Sequence, residues 1–198
     1  MIIGCAINTN AQSLQIHTGV TLPMGDFADD DVFNDYAGMA NTGFNIGVKS
    51  YLPLGKSNFS FGFGFDFFLN GLQSKYKKEF DVSPMYLHIP LTIGLNYSYS
   101  LLKNKIKIYG EVGIGPNCSM MTQMSSNTNL GSIYFYPSYG FGYNMEGGFL
   151  LKWFQIGFRY YYLGNHSYSP DLYWSYLNDF ENPKRKISNL QLVVGFNF

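Results

Sequence analysis

Charged side chains are scarce in this chain. Only 13% of its 198 residues are Asp, Glu, Lys or Arg, about half of what a soluble domain carries, so too few are present to keep a whole surface wet. The thirteen basic residues are balanced by thirteen acidic ones, and without a concentrated positive field a nucleic-acid partner is excluded. Cysteine is nearly missing: Cys5 and Cys118 do not suggest a disulfide framework, and neither has neighbours of metal-ligating type. Long apolar runs are missing as well. No stretch reaches the roughly 18 residues that one spanning helix requires, which excludes a helical membrane protein. Nothing resembles a linker, so the chain reads as one domain.

Glycine (22), phenylalanine (18) and tyrosine (17) together exceed a quarter of the residues, and they are arranged with a period of two. Phe59, Phe61, Phe63, Phe65 and Phe67 alternate with Ser60, Gly62, Gly64 and Asp66. Leu190, Leu192, Val194, Phe196 and Phe198 alternate with Asn189, Gln191, Gly195 and Asn197. This is the pattern of a strand whose two faces meet different environments. It predicts strands near 13–22, 41–53, 58–70, 84–100, 105–118, 136–149, 153–163 and 187–198. Tight connections at 53–57, 101–104 and 150–152 alternate with long polar ones at 23–40, 71–83, 119–135 and 164–186.

Eight alternating strands with short turns at one end and long loops at the other predict an all-β, up-and-down antiparallel barrel in a bacterial outer membrane, short turns periplasmic and long loops extracellular. Closure is required because an open sheet edge in hydrocarbon leaves unpaired N–H and C=O groups at several kcal/mol each. The small, mostly uncharged face would point inward, where eight strands leave room for side chains and little else. Lys49, Asp66, Glu111, Glu146 and Arg159 are expected to form an ion-pair network in that lumen, giving a plugged core without a pore. His17 and His88 also face inward on this register, but no ligand set at metal spacing accompanies them. Tyr97, Tyr99 and Trp153 near the short turns, and Tyr134, Tyr136, Tyr160 and Tyr162 near the long loops, are expected to form two aromatic girdles. Pro90 falls mid-strand and predicts a bulge or local bend. A soluble lipocalin-like barrel binding an apolar ligand is the competing fold; its apolar face would point inward.

Residues 1–12, MIIGCAINTNAQ, resemble the tail of a secretory signal peptide, leaving 13–198 as the barrel domain. At the loop end, Tyr168, Tyr173, Trp174, Tyr176 and Phe180 are contact-type residues that suggest a protein or glycan partner, with packing on one another above the girdle or contact with lipid headgroups as the alternative. Asp29, Asp30 and Asp31 read as turn formers, with a calcium ion as the alternative. His166 and Ser167 are the residues to weigh for a lipid-modifying enzyme, although no spacing specifies a triad. Neither a catalytic residue, nor a cofactor, nor a metal is assigned.

Several segments resemble the outer-membrane β-barrel proteins of Bacteroidetes known as the PorT-like group, akin in architecture to the OmpA and OmpX type of eight-stranded barrel. They are Gly19-Val20 through Pro23-Met24-Gly25-Asp26-Phe27, Tyr86-Leu87-His88-Ile89-Pro90-Leu91, Tyr109-Gly110-Glu111-Val112-Gly113-Ile114-Gly115 and Leu192-Val193-Val194-Gly195-Phe196-Asn197-Phe198. The resemblance implies the fold and the outer-membrane location, lipid as surroundings, and a closing Phe196 and Phe198 read by the barrel-assembly machinery. The glycine expected upstream of that ending is Val193 here. The group's namesake serves a secretion system, which makes an accessory role in a secretion or surface complex the functional expectation.

Overall fold

The computed structural model describes residues 13–31, 33–74, 80–82, 84–101, 106–122, 124–126, 132–133, 135–168 and 184–198. Eight long strands form a closed barrel: β1 (Ser13–Met24), β2 (Ala40–Pro53), β3 (Phe59–Leu72), β4 (Met85–Leu101), β5 (Ile106–Met121), β6 (Ser138–Leu151), β7 (Phe154–His166) and β8 (Arg185–Asn197). Each pairs antiparallel with its neighbours in sequence, and β1 pairs with β8 to close the ring. Backbone bonds between Leu14 and Phe198 in both directions, at 3.1 and 2.8 Å, finish the seam.

Alternation decides which way the sheet curls. Leu14, Ile16, Val20 and Leu22 are exposed while Gln15, His17 and Thr21 are buried, and β3 exposes Phe59, Phe61, Phe63 and Phe65 while burying Asp66. The apolar face is the outer one, which rules out the lipocalin-like arrangement. Several strands run two or three residues further toward the long loops than the sequence pattern marks, β5 to Met121 and β7 to His166, because ladder bonds persist beyond the lipid-facing pattern.

Pro90 causes no bulge. The register is the same on both sides of it, Phe65↔Leu91 and Phe68↔His88, and the two pairs between them drop out of that ladder; the buried ring costs local hydrogen bonds and leaves the alignment intact. The register shifts lie instead between Ala40 and Gly43 and between Tyr162 and Gly164, the latter at a glycine with φ +91°.

The long loops are more structured than their polar composition suggests. Segments Phe80–Val82, Met124–Ser126 and Ser132–Ile133 form a separate small sheet. A 3-10 turn at Gly25–Phe27 drops Phe27 into the barrel mouth, where it is buried. The hydroxyl of Tyr86 donates to the carbonyl of Gly38 at 2.6 Å, and Gln73 donates to Met39 and Ala28, fixing the loop across the opening.

Candidate functional site

The lumen holds a continuous network of buried charge. Asp66 on β3, Glu111 on β5 and Glu146 on β6 meet Lys49 on β2 and Arg159 on β7, all of them buried. Lys49 Nζ donates to Glu111 Oε1 at 2.5 Å and to Glu146 Oε2 at 2.7 Å. Arg159 donates from Nε to Glu146 Oε2 at 2.5 Å and from Nη1 to Asp66 Oδ1 at 2.8 Å. Neutral groups complete the shell: Tyr51 donates to Glu111 Oε2, Tyr109 and Gln155 to Glu146 Oε1, and Tyr161 to Asp66 Oδ2. Every oxygen of the three carboxylates accepts at least one bond, so their burial is matched by donors, as an isolated buried charge would not be.

His17 belongs to the same network. Its Nε2 lies 2.5 Å from Asp66 Oδ1, and because a carboxylate can only accept, Nε2 carries the proton in that bond. Its 2.9 Å approach to Arg159 Nη1 follows from two donors converging on one oxygen. The sequence places His17 on the inner face, but its partner lies two strands away, on β3, and no spacing announces that.

Toward the loop end a second, apolar layer closes the lumen. Phe27 meets Tyr86 edge-on at 5.1 Å and His88 at 5.3 Å between ring centroids. Phe68, Tyr161, Leu163 and Ile187 pack in the same cluster. Tyr168 also joins it, only 3% exposed and tilted against Tyr86 at 5.6 Å. This corrects the expectation that Tyr168 is a surface contact: it is the second residue after β7, and the loop turns its ring into the mouth, where burial pushes the phenol above the usual tyrosine range. Tyr173, Trp174, Tyr176, Phe180 and Tyr134 lie outside the described residues, as does the segment 1–12.

A polar row runs beside this layer. His88 Nδ1 bonds to the Ser119 hydroxyl, and His166 Nδ1 lies 3.2 Å from Ser138 Oγ. The Nε2 of His166 is 2.9 Å from the carbonyl of Leu163, so Nε2 donates and Nδ1 accepts from Ser138. The hydroxyl partner of His166 is therefore Ser138, while Ser167 contributes a backbone N–H to Ser138 Oγ at 3.4 Å.

In the first loop, Asp29 accepts from the Asp31 N–H and from Asn34 Nδ2, and Asp31 from the Phe33 N–H, the bonding of turn formers. Among the described residues no group of three or more His, Cys, Asp or Glu is disposed to hold a metal ion. On the exterior, Trp153 stacks on Phe196 at 5.3 Å and Phe59 meets Tyr97 at 4.9 Å near the short turns; Tyr99 is exposed beside them. Tyr143 contacts Tyr160 and Tyr162 toward the loop end, where Tyr136 is also exposed. Phe198 is exposed at the seam.

Three solved structures share this architecture. Neisserial surface protein A superposes with a TM-score of 0.55 at 11% identity, over 94% of this chain and 95% of that one. OprG from Pseudomonas aeruginosa gives 0.54 at 13%, over 95% and 96%. A major outer membrane protein from Thermus thermophilus gives 0.51 at 13%, over 95% and 100%. No family model matches the chain, and no curated protein matches it in sequence. The fold is that of outer-membrane β-barrels, and the apolar outer face is built for a bilayer.

Proposed function

We propose that the protein is an integral outer-membrane barrel with a structural or interaction role, accessory to a secretion or surface complex and acting through its long-loop end. The observation that carries this reading is the interlocked lumen: ion pairs tie β2, β3, β5, β6 and β7 together across its middle, and the Phe27 layer packs at the mouth. The sides of the barrel face lipid, which leaves the loop end as the surface for a protein or glycan partner. The PorT-like branch is part of this reading. Two of the segments that carry that resemblance meet in space, with Phe27 of one packed on Tyr86 and His88 of the other. In this scheme the chain arrives by way of the export signal and the barrel-assembly machinery, which reads the Phe196 and Phe198 ending.

The test combines three measurements on cells making the tagged full chain. The protein should fractionate with the outer membrane and migrate differently before and after boiling. In planar bilayers it should pass no steady current. Cross-linking from cysteines placed in the long loops should trap one recurrent partner. A steady current, or recovery in the soluble periplasm without a heat shift, would overturn the reading.

A second reading, a lipid-modifying enzyme, is favoured by one observation, the Ser138–His166 pair with its imidazole oriented by Leu163. In such a pair Ser138 Oγ attacks the ester carbonyl of a lipid as its proton passes to His166 Nδ1; the acyl–oxygen bond of the ester breaks as the acyl–Oγ bond forms, and the proton returns from Nδ1 to the departing alkoxide. Lipid A acylation that changes on expression of the wild type and stays unchanged with Ser138→Ala would establish it; identical lipid A in both would remove it.

A further inference from the structure

At the short-turn end of the barrel, the charged side chains outside the lumen network are all of one sign. Among the described residues they are Lys56 in the β2–β3 turn, Lys107 at the start of β5 and Lys152 in the β6–β7 turn. The segments that supply these turns and strand ends, 51–61, 97–110 and 147–156, contain no Asp or Glu. Residues 13–16 and 195–198, which complete the rim, have no charged side chain. The opposite end is mixed: the loop 25–39 holds Asp26, Asp29, Asp30, Asp31 and Asp35 and no basic residue, while Lys184, Arg185 and Lys186 lead into β8.

Lys56 and Lys152, in the turns, stand just beyond an aromatic belt, while Lys107 lies within β5 on the parity of Tyr109 and Glu111. Lys152 precedes Trp153, whose indole stacks on Phe196. Lys56 lies three residues before Phe59, whose ring meets Tyr97. Aromatic belts mark the boundary of the hydrocarbon, so the exposed amines of Lys56 and Lys152 fall at the depth of lipid headgroups. Lys152 also adopts φ +58°, a backbone conformation in which any side chain is strained and glycine is not. A charged residue held in such a position directs attention to what the charge contacts.

We propose that the short-turn rim is a binding surface for anionic phospholipid headgroups, with Lys56 and Lys152 contacting the phosphates and Lys107 adding to the field. This inference rests on the reading of the chain as a transmembrane barrel. A zwitterionic headgroup offers such a rim little net attraction, whereas a negatively charged lipid surface draws each nearby lysine by a factor of about five in partitioning.

The full chain is folded into phosphatidylcholine vesicles containing a trace of spin-labelled lipid, either phosphatidylglycerol or phosphatidylcholine, and the motionally restricted fraction of each label is compared. Wild type should restrict phosphatidylglycerol several-fold more strongly, and added salt should reduce the difference. Substituting both Lys56→Gln and Lys152→Gln should remove most of it, by up to about five-fold per lysine. Lys184→Gln with Lys186→Gln should remove the smaller share. Equal restriction of the two labels by wild type, or a preference that survives the rim substitutions or follows Lys184 and Lys186, overturns the inference while leaving the barrel reading in place. Heat-modifiable migration of every variant reports separately on the barrel; its loss in wild type would sink the transmembrane reading and this inference with it.

Discussion

Arg159 on β7 reaches across the lumen to Asp66 on β3, with Nη1 2.8 Å from Oδ1, while its Nε holds Glu146 on the adjacent strand at 2.5 Å. One guanidinium thus ties together two carboxylates carried by strands that are not neighbours. That geometry uses the planar fork of arginine, which an ammonium cannot imitate.

Replacing Arg159 with Met therefore leaves Asp66 and Glu146 buried without their shared cation. The expected loss is about 3–5 kcal/mol, read as a lower midpoint in urea unfolding of the barrel in vesicles. Arg159→Lys should recover only part of it. An unchanged midpoint for Arg159→Met would show that the network contributes no net stability.

The mouth should be loosened by Phe27→Ala. Truncating a buried phenylalanine costs about 3 kcal/mol or more, and with local opening in fast equilibrium this raises cleavage of the covering loop by about two orders of magnitude. A protease specific for aspartate would report it, since Asp29, Asp30 and Asp31 lie in that loop.

Two glycines on β5 offer a matched comparison. A Cβ on Gly115 would lie 1.9 Å from the backbone oxygen of Leu91, whereas on Gly110 the nearest atom would be 4.0 Å away. Gly115→Ala should abolish the heat-modifiable form, because the obstacle is backbone of the adjoining strand and cannot swing aside. Gly110→Ala should fold normally.

Lys152→Gly should stabilise the β6–β7 hairpin by about 1 kcal/mol by relieving its left-handed backbone, seen as a higher unfolding midpoint. If the midpoint falls instead, the lysine side chain contributes more to the fold than its backbone strain costs.

The architecture was legible because lipid imposes one rule on the outer face. The five phenylalanines from Phe59 to Phe67 and the alternation through Leu192, Val194 and Phe196 can be read without knowing any neighbour. Inward parity likewise marks Lys49, Asp66, Glu111, Glu146 and Arg159. Their partners cannot be read in the same way: which acid meets which base depends on register and on the stagger around the ring, and a local pattern contains neither. The same holds for His17, whose bond to Asp66 joins strands that do not pair. Pro90 misleads because a missing N–H is expected to move the strand, and here a few ladder pairs drop out on both sides of β4 while the register stays the same. Tyr168 misleads because tyrosine in a loop is ambiguous until the path of that loop is known.

Seven of the eight strand pairings join segments adjacent in the chain, and the eighth, β1 with β8, joins residues such as Gln15 and Asn197. Loop-closure entropy grows only slowly with length, about 0.6 kcal/mol per doubling, so this distant pairing costs roughly 2–3 kcal/mol more to close than a hairpin does. The pairing with the longest loop is the one expected to form last, so the meeting of the two edges along the register from Gln15↔Asn197 to Met24↔Ser188 is where a curved ribbon becomes a ring.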